Sequence, residues 1–284
     1  MKQQVEDGIL WRRWEPESPA PQSPAHRGPA LRGTVLLIHG LGESGLSFEV
    51  LAARLAAGGW RALVPDLPGY GKTAWRQEPQ TLPQAAAELA RWLEKYVRET
   101  PQLGPVVVLG HSMGGVVGTM LAEELPQPVA ALVNVEGNIS FDDCGFSSRI
   151  ARYLPEEFPE APFLRLLQAV YRESQDDLQE ALRTYFVSMS LCDPRQLYRH
   201  AVELVELSRA EQLAERLARL PMPQIYLLGD PRGTGAHSRS LLEAAGIPWR
   251  AIADAGHWPF LDQPEAFASE LWGFLEALDS DSGD

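Results

Sequence analysis

The chain has 284 residues, of which 45% are hydrophobic, and this is enough for one large core with an inserted segment. Its 25 basic and 38 acidic residues give a formal net charge of −13, which argues against nucleic acid or an anionic membrane as a partner. No run approaches the roughly 18 apolar residues of a membrane span, and the polar residues 1–8 lack the apolar core of a signal peptide, so we expect a cytoplasmic protein.

The N-terminal third of the chain alternates predicted strands with predicted helices. Residues 15–33 are rich in proline and alanine and have no periodic apolar pattern, so they are expected to form a surface excursion before the first core strand. Thr81 and Gln84 have capping-box spacing, which predicts the start of a helix that runs to about residue 99. The other elements predicted here are strands at residues 34–38 and 61–66 and a helix at residues 47–57.

A G-x-S-x-G pattern occupies residues 110–114, directly after the apolar run at residues 106–109 and before a helical run. The central Ser112 therefore lies where a buried strand turns sharply into a helix, and glycines on both sides let the two elements pass closely. Such a turn exposes the serine hydroxyl at the end of a sheet. We interpret Ser112 as a candidate nucleophile, and the alternative is a glycine-rich packing turn.

The alternation of strands and helices stops after the strand predicted at residues 129–135. Four amphipathic helical patterns follow over residues 137–220, which we predict to be a helical lid, with residues 1–136 and 221–284 forming the core. Aromatic side chains in this segment predict an apolar slot for an acyl or aryl group, although they could instead pack the lid down. These aromatic residues are Phe141, Phe146, Phe158, Phe163 and Tyr171.

A serine nucleophile needs a histidine to accept its proton and N–H donors to hold the oxyanion. His257 follows a strand predicted at residues 249–252, which makes it the candidate base. The candidate donors are the backbone N–H groups of Leu41, in the turn after the first core strand, and Met113. The other histidines fit the role of base less well: His39 is expected to support the oxyanion turn, His111 lies inside the G-x-S-x-G pattern, and His26, His200 and His237 have no matching chemistry around them.

Together, these residues resemble the α/β-hydrolase superfamily, in its branch of cap-bearing esterases and lipases. The resemblance implies an α/β fold with a mostly parallel central sheet, helices on both faces and an inserted helical lid. It also implies a serine hydrolase with the chain order serine, acid, histidine. Because this fold hosts many chemistries, the resemblance names no substrate. It is carried by four segments, which are residues 39–42, residues 66–71, residues 110–114, and residues 256–259 with 262–264.

The third member of the triad has two candidates. Asp230 follows the strand predicted at residues 224–228, where the family most often has its acid, but the usual position three residues beyond the glycine is Arg232. Glu136 ends the preceding strand, where some superfamily members have a catalytic glutamate. We favour Glu136. The alternatives are that Glu136 is a cleft carboxylate paired with a cation such as Arg149, and that Asp230 is a turn residue.

The sequence thus predicts a hydrolase that cleaves carboxylic esters of a small apolar acyl or aryl substrate through an acyl-enzyme. A carbon–carbon bond hydrolase or a cofactor-free peroxidase would use the same residues. A ligand-binding receptor on the same scaffold is an alternative from another class. No cofactor is expected, because Gly69 to Thr73 lacks the first glycine of a phosphate-binding loop, where Asp66 stands, and no metal site is expected because no ligand spacing fits one.

Overall fold

One sheet of eight strands organises the part of the chain described by the computed structural model, which comprises residues 1–16, 31–100, 103–175 and 180–281. The strands are β1 (Lys2–Glu6), β2 (Ile9–Trp14), β3 (Gly33–Ile38), β4 (Trp60–Asp66), β5 (Val106–His111), β6 (Val129–Val135), β7 (Gln224–Arg232) and β8 (Trp249–Gly256). Their order in the sheet is β1-β2-β4-β3-β5-β6-β7-β8. His26 and most of the predicted surface excursion at residues 15–33 lie outside the described residues.

The sheet is parallel from β4 through β8, and only the N-terminal hairpin joins it in the antiparallel direction. β1 pairs with β2, and β2 pairs with β4, both antiparallel. The parallel strands β3 and β5 are buried along their whole length, which agrees with their continuous apolar sequences. The predicted α/β fold with a mostly parallel sheet is therefore confirmed.

Helices cover both faces of the sheet. The helices are α1 (Glu49–Ala57), α2 (Leu82–Glu99), α3 (Met113–Glu124), α4 (Ser147–Ala151), α5 (Ala161–Glu173), α6 (Glu180–Met189), α7 (Pro194–Arg209), α8 (Leu213–Ala218), α9 (Ala236–Ala244), α10 (Pro259–Asp262) and α11 (Pro264–Asp281), and 3₁₀ turns lie at Gly45–Phe48 and Phe141–Cys144. Successive residues of β5 point to opposite faces, so Val108 packs in the core under α2 and α3 and Val107 packs in the core under α1 and α11.

The capping box predicted at the start of α2 is present. Gln84 N donates to Thr81 Oγ1 at 3.2 Å, and Thr81 N donates to Gln84 Oε1 at 2.8 Å. Both bonds satisfy N–H groups that the first helical turn leaves without a partner. The sequence therefore placed this helix start at the correct residue.

The described residues between β6 and β7 form helices α4 to α8 and a 3₁₀ turn, with no strand among them. Side chains of α6 reach the loop after β3: Tyr185 Oη donates to Leu41 O at 3.1 Å, and Ser188 Oγ lies 2.9 Å from Ser44 Oγ. These helices consequently cover the carboxyl ends of the central strands. That residues 137–220 act as a lid remains a prediction. None of the helices in the described parts of the chain is long and apolar enough to cross a membrane.

Candidate active site

Ser112 stands at the sharp turn between β5 and α3, as predicted. Its φ of 53° and ψ of −121° lie outside the usual range for a residue with a side chain. Ser112 N donates to Val135 O at 2.9 Å, which ties this turn to the end of β6. A Cβ at Gly110 would collide with the Gly114 carbonyl, and one at Gly114 would collide with the Ile38 carbonyl. Glycine at both positions is therefore what allows α3 to start so close to the sheet.

Glu136 stands directly after β6, also with a positive φ of 53°, and is buried. Its Oε1 accepts hydrogen bonds from Gly229 N at 2.7 Å and Thr234 N at 3.1 Å. Its Oε2 lies 3.3 Å from Nδ1 of His257. Two backbone amides thus orient the carboxylate, and the oxygen that does not bond to them faces the histidine.

His257 lies on the loop between β8 and α10, and 40% of its side chain is exposed. Removal from water lowers its pKa. The hydrogen bond and charge of Glu136, followed by the charges of Glu43 and Asp143, raise the pKa more strongly, so that it lies above the ordinary value of 6.5. Three carboxylates therefore favour the imidazolium that a base forms when it accepts a proton.

Asp230, the alternative acid, lies on β7 with its side chain 47% exposed. Its Oδ1 lies 3.3 Å from Nη1 of Arg239, and within the described ranges it has no hydrogen bond to His257. Arg232 is exposed and donates to Asp254 O at 3.4 Å. The structure thus brings Glu136, and not Asp230, to His257. Arg149, named as a possible partner of Glu136, forms no ion pair with it in the described part of the chain.

The two candidate oxyanion donors belong to the turn after β3 and to the start of α3. Met113 is the first residue of α3, so its N–H has no intrahelical acceptor. Leu41 follows β3 and lines the same cavity as Ser112 and His257. His39 supports this turn as expected: Nδ1 donates to Gly40 O at 2.9 Å, and Nε2 accepts from Leu67 N at 3.0 Å. Burial lowers the pKa of His39, in agreement with a neutral ring that both donates and accepts.

Glu43 is a buried acid of the site that the sequence analysis did not single out. Its Oε1 accepts from Nε1 of Trp258 at 2.8 Å and lies 2.9 Å from Nδ1 of His111. Its Oε2 accepts from Gly40 N at 3.3 Å, and His111 Nε2 donates to the backbone oxygen of His257 at 2.7 Å. Burial raises the pKa of Glu43, but the interaction with His111 and the hydrogen bond from Trp258 lower it to about 2. No local spacing marks Glu43 in the sequence.

A cavity of about 210 Å³ is lined by Ser112, His257 and Glu43 and by residues of helices α4 to α7. Only Phe146 of the five aromatic residues singled out in the sequence lines it. Phe158 and Phe163 instead pack against each other with ring centroids 6.0 Å apart, and Phe141 and Tyr171 are exposed. The cavity is nevertheless largely apolar, with aliphatic side chains and three aromatic ones. Its apolar lining is Leu41, Phe146, Leu166, Ala169, Val170, Leu182, Tyr185, Leu204 and Trp258.

Two further histidines of the described residues, His200 and His237, do not line the cavity. His200 is buried in α7, where its Nδ1 lies 2.9 Å from the Tyr70 hydroxyl, and burial lowers its pKa to about 3. His237 is exposed and lies 2.9 Å from Glu211. In the described ranges no group of three or more histidine, cysteine, aspartate or glutamate side chains is arranged to hold a metal ion.

Comparisons with known proteins agree on one family. The model of the alpha/beta hydrolase family matches residues 35–270. The chain is 38% identical over 108 residues to lipase LipV of Mycobacterium tuberculosis, a match that spans 38% of each protein. It is 27% identical over 262 residues to a pimeloyl-[acyl-carrier protein] methyl ester esterase of Klebsiella pneumoniae, covering 84% of this chain and 91% of that protein. A thermophilic esterase from Thermogutta terrifontis superposes with a TM-score of 0.70 at 19% identity, covering 95% of this chain and 93% of that one.

Proposed function

The chain belongs to the alpha/beta hydrolase family, and on this premise we propose that it hydrolyses carboxylic esters through an acyl-enzyme on Ser112. The relatives named a lipase and a methyl ester esterase support an ester as the substrate. The observation that carries the mechanism is the position of His257. It lines the same cavity as Ser112, and its Nδ1 lies 3.3 Å from the carboxylate of Glu136.

In the first half of the reaction, Nε2 of His257 accepts the proton of Ser112 as Oγ attacks the ester carbonyl. The backbone N–H groups of Leu41 and Met113 hold the negative oxygen of the tetrahedral intermediate. One such donor is typically worth ~2.7–4 kcal/mol. The C–O bond to the alcohol then breaks, and the alcohol leaves with the proton from His257, so that the acyl group stays on Ser112.

In the second half, His257 accepts a proton from water, and the resulting hydroxide attacks the acyl-enzyme. The acid product leaves as Ser112 recovers its proton from His257. Throughout both halves, Glu136 accepts a hydrogen bond from Nδ1–H, which keeps Nε2 free to act as the base and stabilises the imidazolium. The apolar side chains of the cavity fit a small acyl or aryl group.

A fluorophosphonate probe and a panel of p-nitrophenyl esters test this proposal. We expect the probe to label Ser112, the panel to give sustained turnover, and Ser112→Ala to lose both. Ser190→Ala, which changes an exposed serine far from the cavity, serves as the matched control and should retain both.

Other outcomes of the same panel identify the alternative functions. Release of p-nitrophenol that stops after one equivalent per protein would indicate a receptor. A protein that does not hydrolyse any ester of the panel would indicate carbon–carbon hydrolysis or peroxidation. Labelling and turnover that survive in Ser112→Ala would overturn the proposal as a whole.

A further inference from the structure

A second cavity, of about 220 Å³, adjoins the one that contains Ser112. Arg149, Leu166 and Ala169 line both cavities. The second cavity lies between α4, with Arg152 directly after its end, and α5, which carries Arg165. We call the first cavity, which Ser112 and His257 line, the ester cavity. A ligand long enough to extend from it past Leu166 would enter a space lined by three arginines.

In the described part of the chain, none of these three arginines has an acidic partner. Within the described ranges, no carboxylate oxygen lies within 4.0 Å of the guanidinium groups of Arg149, Arg152 or Arg165. Some other arginines of the described residues do have such a partner, since Arg76 lies 2.5 Å from Glu88 and Arg216 lies 2.5 Å from Glu123. These three positive charges lie together on a chain whose formal net charge is −13.

Neighbouring groups respond to this local positive charge. Arg149 and Arg152 are three residues apart and thus adjacent on the helix surface, where like charges repel each other. Tyr153 lines the same cavity, and the hydrogen bond from Arg152, with a further one from Arg165, lowers the pKa of its phenol. An anion in the cavity would relieve the repulsion and accept charge-assisted hydrogen bonds.

The ester cavity does not offer an anion the same environment. Asp143 and Glu173 line it, and Glu43 beside Ser112 is ionised because its pKa is about 2. A negatively charged group would be repelled there and attracted by the arginines next to it. The two cavities together therefore combine an apolar section near the nucleophile with a cationic section beyond it.

We propose that the arginine cluster, defined as Arg149, Arg152 and Arg165, binds an anionic group of the substrate, a carboxylate or a phosphate, separated from the scissile ester by an apolar segment. This inference rests on the proposed esterase function, because the ester determines which end of the substrate lies at Ser112. It identifies the substrate class as esters that carry a remote negative charge. A planar guanidinium suits both carboxylates and phosphates, since it can donate two parallel hydrogen bonds.

Matched pairs of esters test the proposal. Each p-nitrophenyl ester with a terminal carboxylate or a terminal phosphate is compared with an uncharged ester of equal chain length, over a series of lengths. Above a threshold length, we expect a higher kcat/KM for the charged member of the pair. Arg152→Gln and Arg165→Gln should each lower this charged-to-neutral ratio about tenfold, the effect of losing one charge-assisted hydrogen bond. Salt at about 0.5 M should lower the ratio as well.

Arg172→Gln is the control for these variants. Arg172 is an exposed arginine of α5 that lines neither cavity, so its replacement should leave the ratio unchanged. A ratio at or below one at every chain length would overturn the proposal, and so would a ratio that Arg152→Gln and Arg165→Gln leave unchanged. A higher ratio for the phosphates than for the carboxylates, or the reverse, would identify which anion is the natural one.

Binding without turnover separates this proposal from the proposed function. Calorimetry on the intact protein measures directly how tightly adipate and inorganic phosphate bind to the arginine cluster. Binding that weakens about tenfold in Arg152→Gln supports the anion site even if no ester is hydrolysed. Hydrolysis of esters without a preference for charge, and without anion binding, would retain the function and reject the anion site.

Discussion

Two residues at the ends of neighbouring strands share an unusual backbone conformation. Ser112 follows β5 and Glu136 follows β6, and each has a φ of 53°. A backbone conformation in so sparsely populated a region costs a residue with a side chain on the order of 1–3 kcal/mol. Such strain is concentrated at functional sites, where the surrounding structure holds it in place. Here a hydrogen bond from Ser112 N to Val135 O couples the two turns.

At the scale of single residues, the acid can be identified by two amide substitutions. Glu136→Gln keeps the size of the side chain but removes the charge that stabilises the imidazolium, so we expect kcat to fall on the order of 10⁴-fold. Asp230→Asn should cost far less, since Asp230 contacts Arg239 at the surface. Steady-state kinetics on one p-nitrophenyl ester measures both. The opposite ranking would move the acid to Asp230.

The dependence of activity on pH gives a second measure of the contact between Glu136 and His257. His257 acts as a base only when neutral, and its pKa lies above 6.5 mainly because the effect of Glu136 outweighs that of burial. Activity of the wild type should therefore fall as the pH drops through a value above 6.5. The acid limb should move to lower pH in Glu136→Gln if enough activity remains, and Asp230→Asn should leave it in place.

At the level of elements, the N-terminal hairpin of β1 and β2 is a part of the fold that the sequence did not predict. β1 is an antiparallel edge strand, and all five of its residues are exposed or half-buried. Without an apolar alternation, such strands give little signal in sequence. The buried Arg12 of β2 pairs with Asp66, which also accepts from Gly45 N at 2.7 Å and Lys72 N at 2.8 Å. Asp66 thus fixes the loop that follows β4.

The helices of the predicted lid determine the size of the ester cavity. Leu182 of α6 lines it, whereas Val187 of the same helix is 49% exposed and does not. Leu182→Ala should enlarge the cavity and shift the preferred acyl chain to greater length by at least one carbon, because the shortened side chain leaves space that an acyl chain can fill. Val187→Ala is the matched control. Identical chain-length profiles for both variants and the wild type would show that the lid does not shape the pocket.

At the scale of the whole molecule, Glu43 connects three segments that are distant in sequence. It contacts Gly40 in the candidate oxyanion turn, His111 before the candidate nucleophile and Trp258 after the candidate base. Removing this carboxylate would leave the N–H groups of Gly40 and Trp258 without their acceptor, which typically costs about 1–3 kcal/mol for each donor that stays buried. The alignment of the candidate site therefore depends on one carboxylate.

This carboxylate predicts a pH dependence of stability. The folded protein lowers the pKa of Glu43 from 4.5 to about 2. A lowered pKa contributes stability that is fully present above pH 4.5 and is lost as the pH falls toward about 2. At about 1.4 kcal/mol per pH unit, the contribution is about 3 kcal/mol.

Urea denaturation of the wild type and Glu43→Gln at a series of pH values measures this contribution. The difference between their free energies of unfolding should shrink by up to about 3 kcal/mol as the pH is lowered from 5 toward 2. Other carboxylates titrate in both proteins, so their effects cancel in the difference. A difference that stays constant with pH would mean that folding does not shift the pKa of Glu43.

The sequence by itself determined the parts of this protein that depend on neighbouring residues. An apolar strand, two glycines and a helical run are enough to specify the turn at Ser112, because close passage of strand and helix excludes any side chain at Gly110 and Gly114. The capping box of Thr81 and the alternation that predicts a parallel sheet are equally local. The sequence also led to Glu136, but only as one of two acids left open.

Only the tertiary structure decided which residues from distant segments meet. Glu136 and His257 are 121 positions apart, and the order of β6, β7 and β8 in the sheet brings them together. The contact of Glu43 with Trp258 likewise joins segments that are distant in sequence. Such contacts depend on how strands are ordered and how helices pack over them, and no spacing along the chain encodes that geometry.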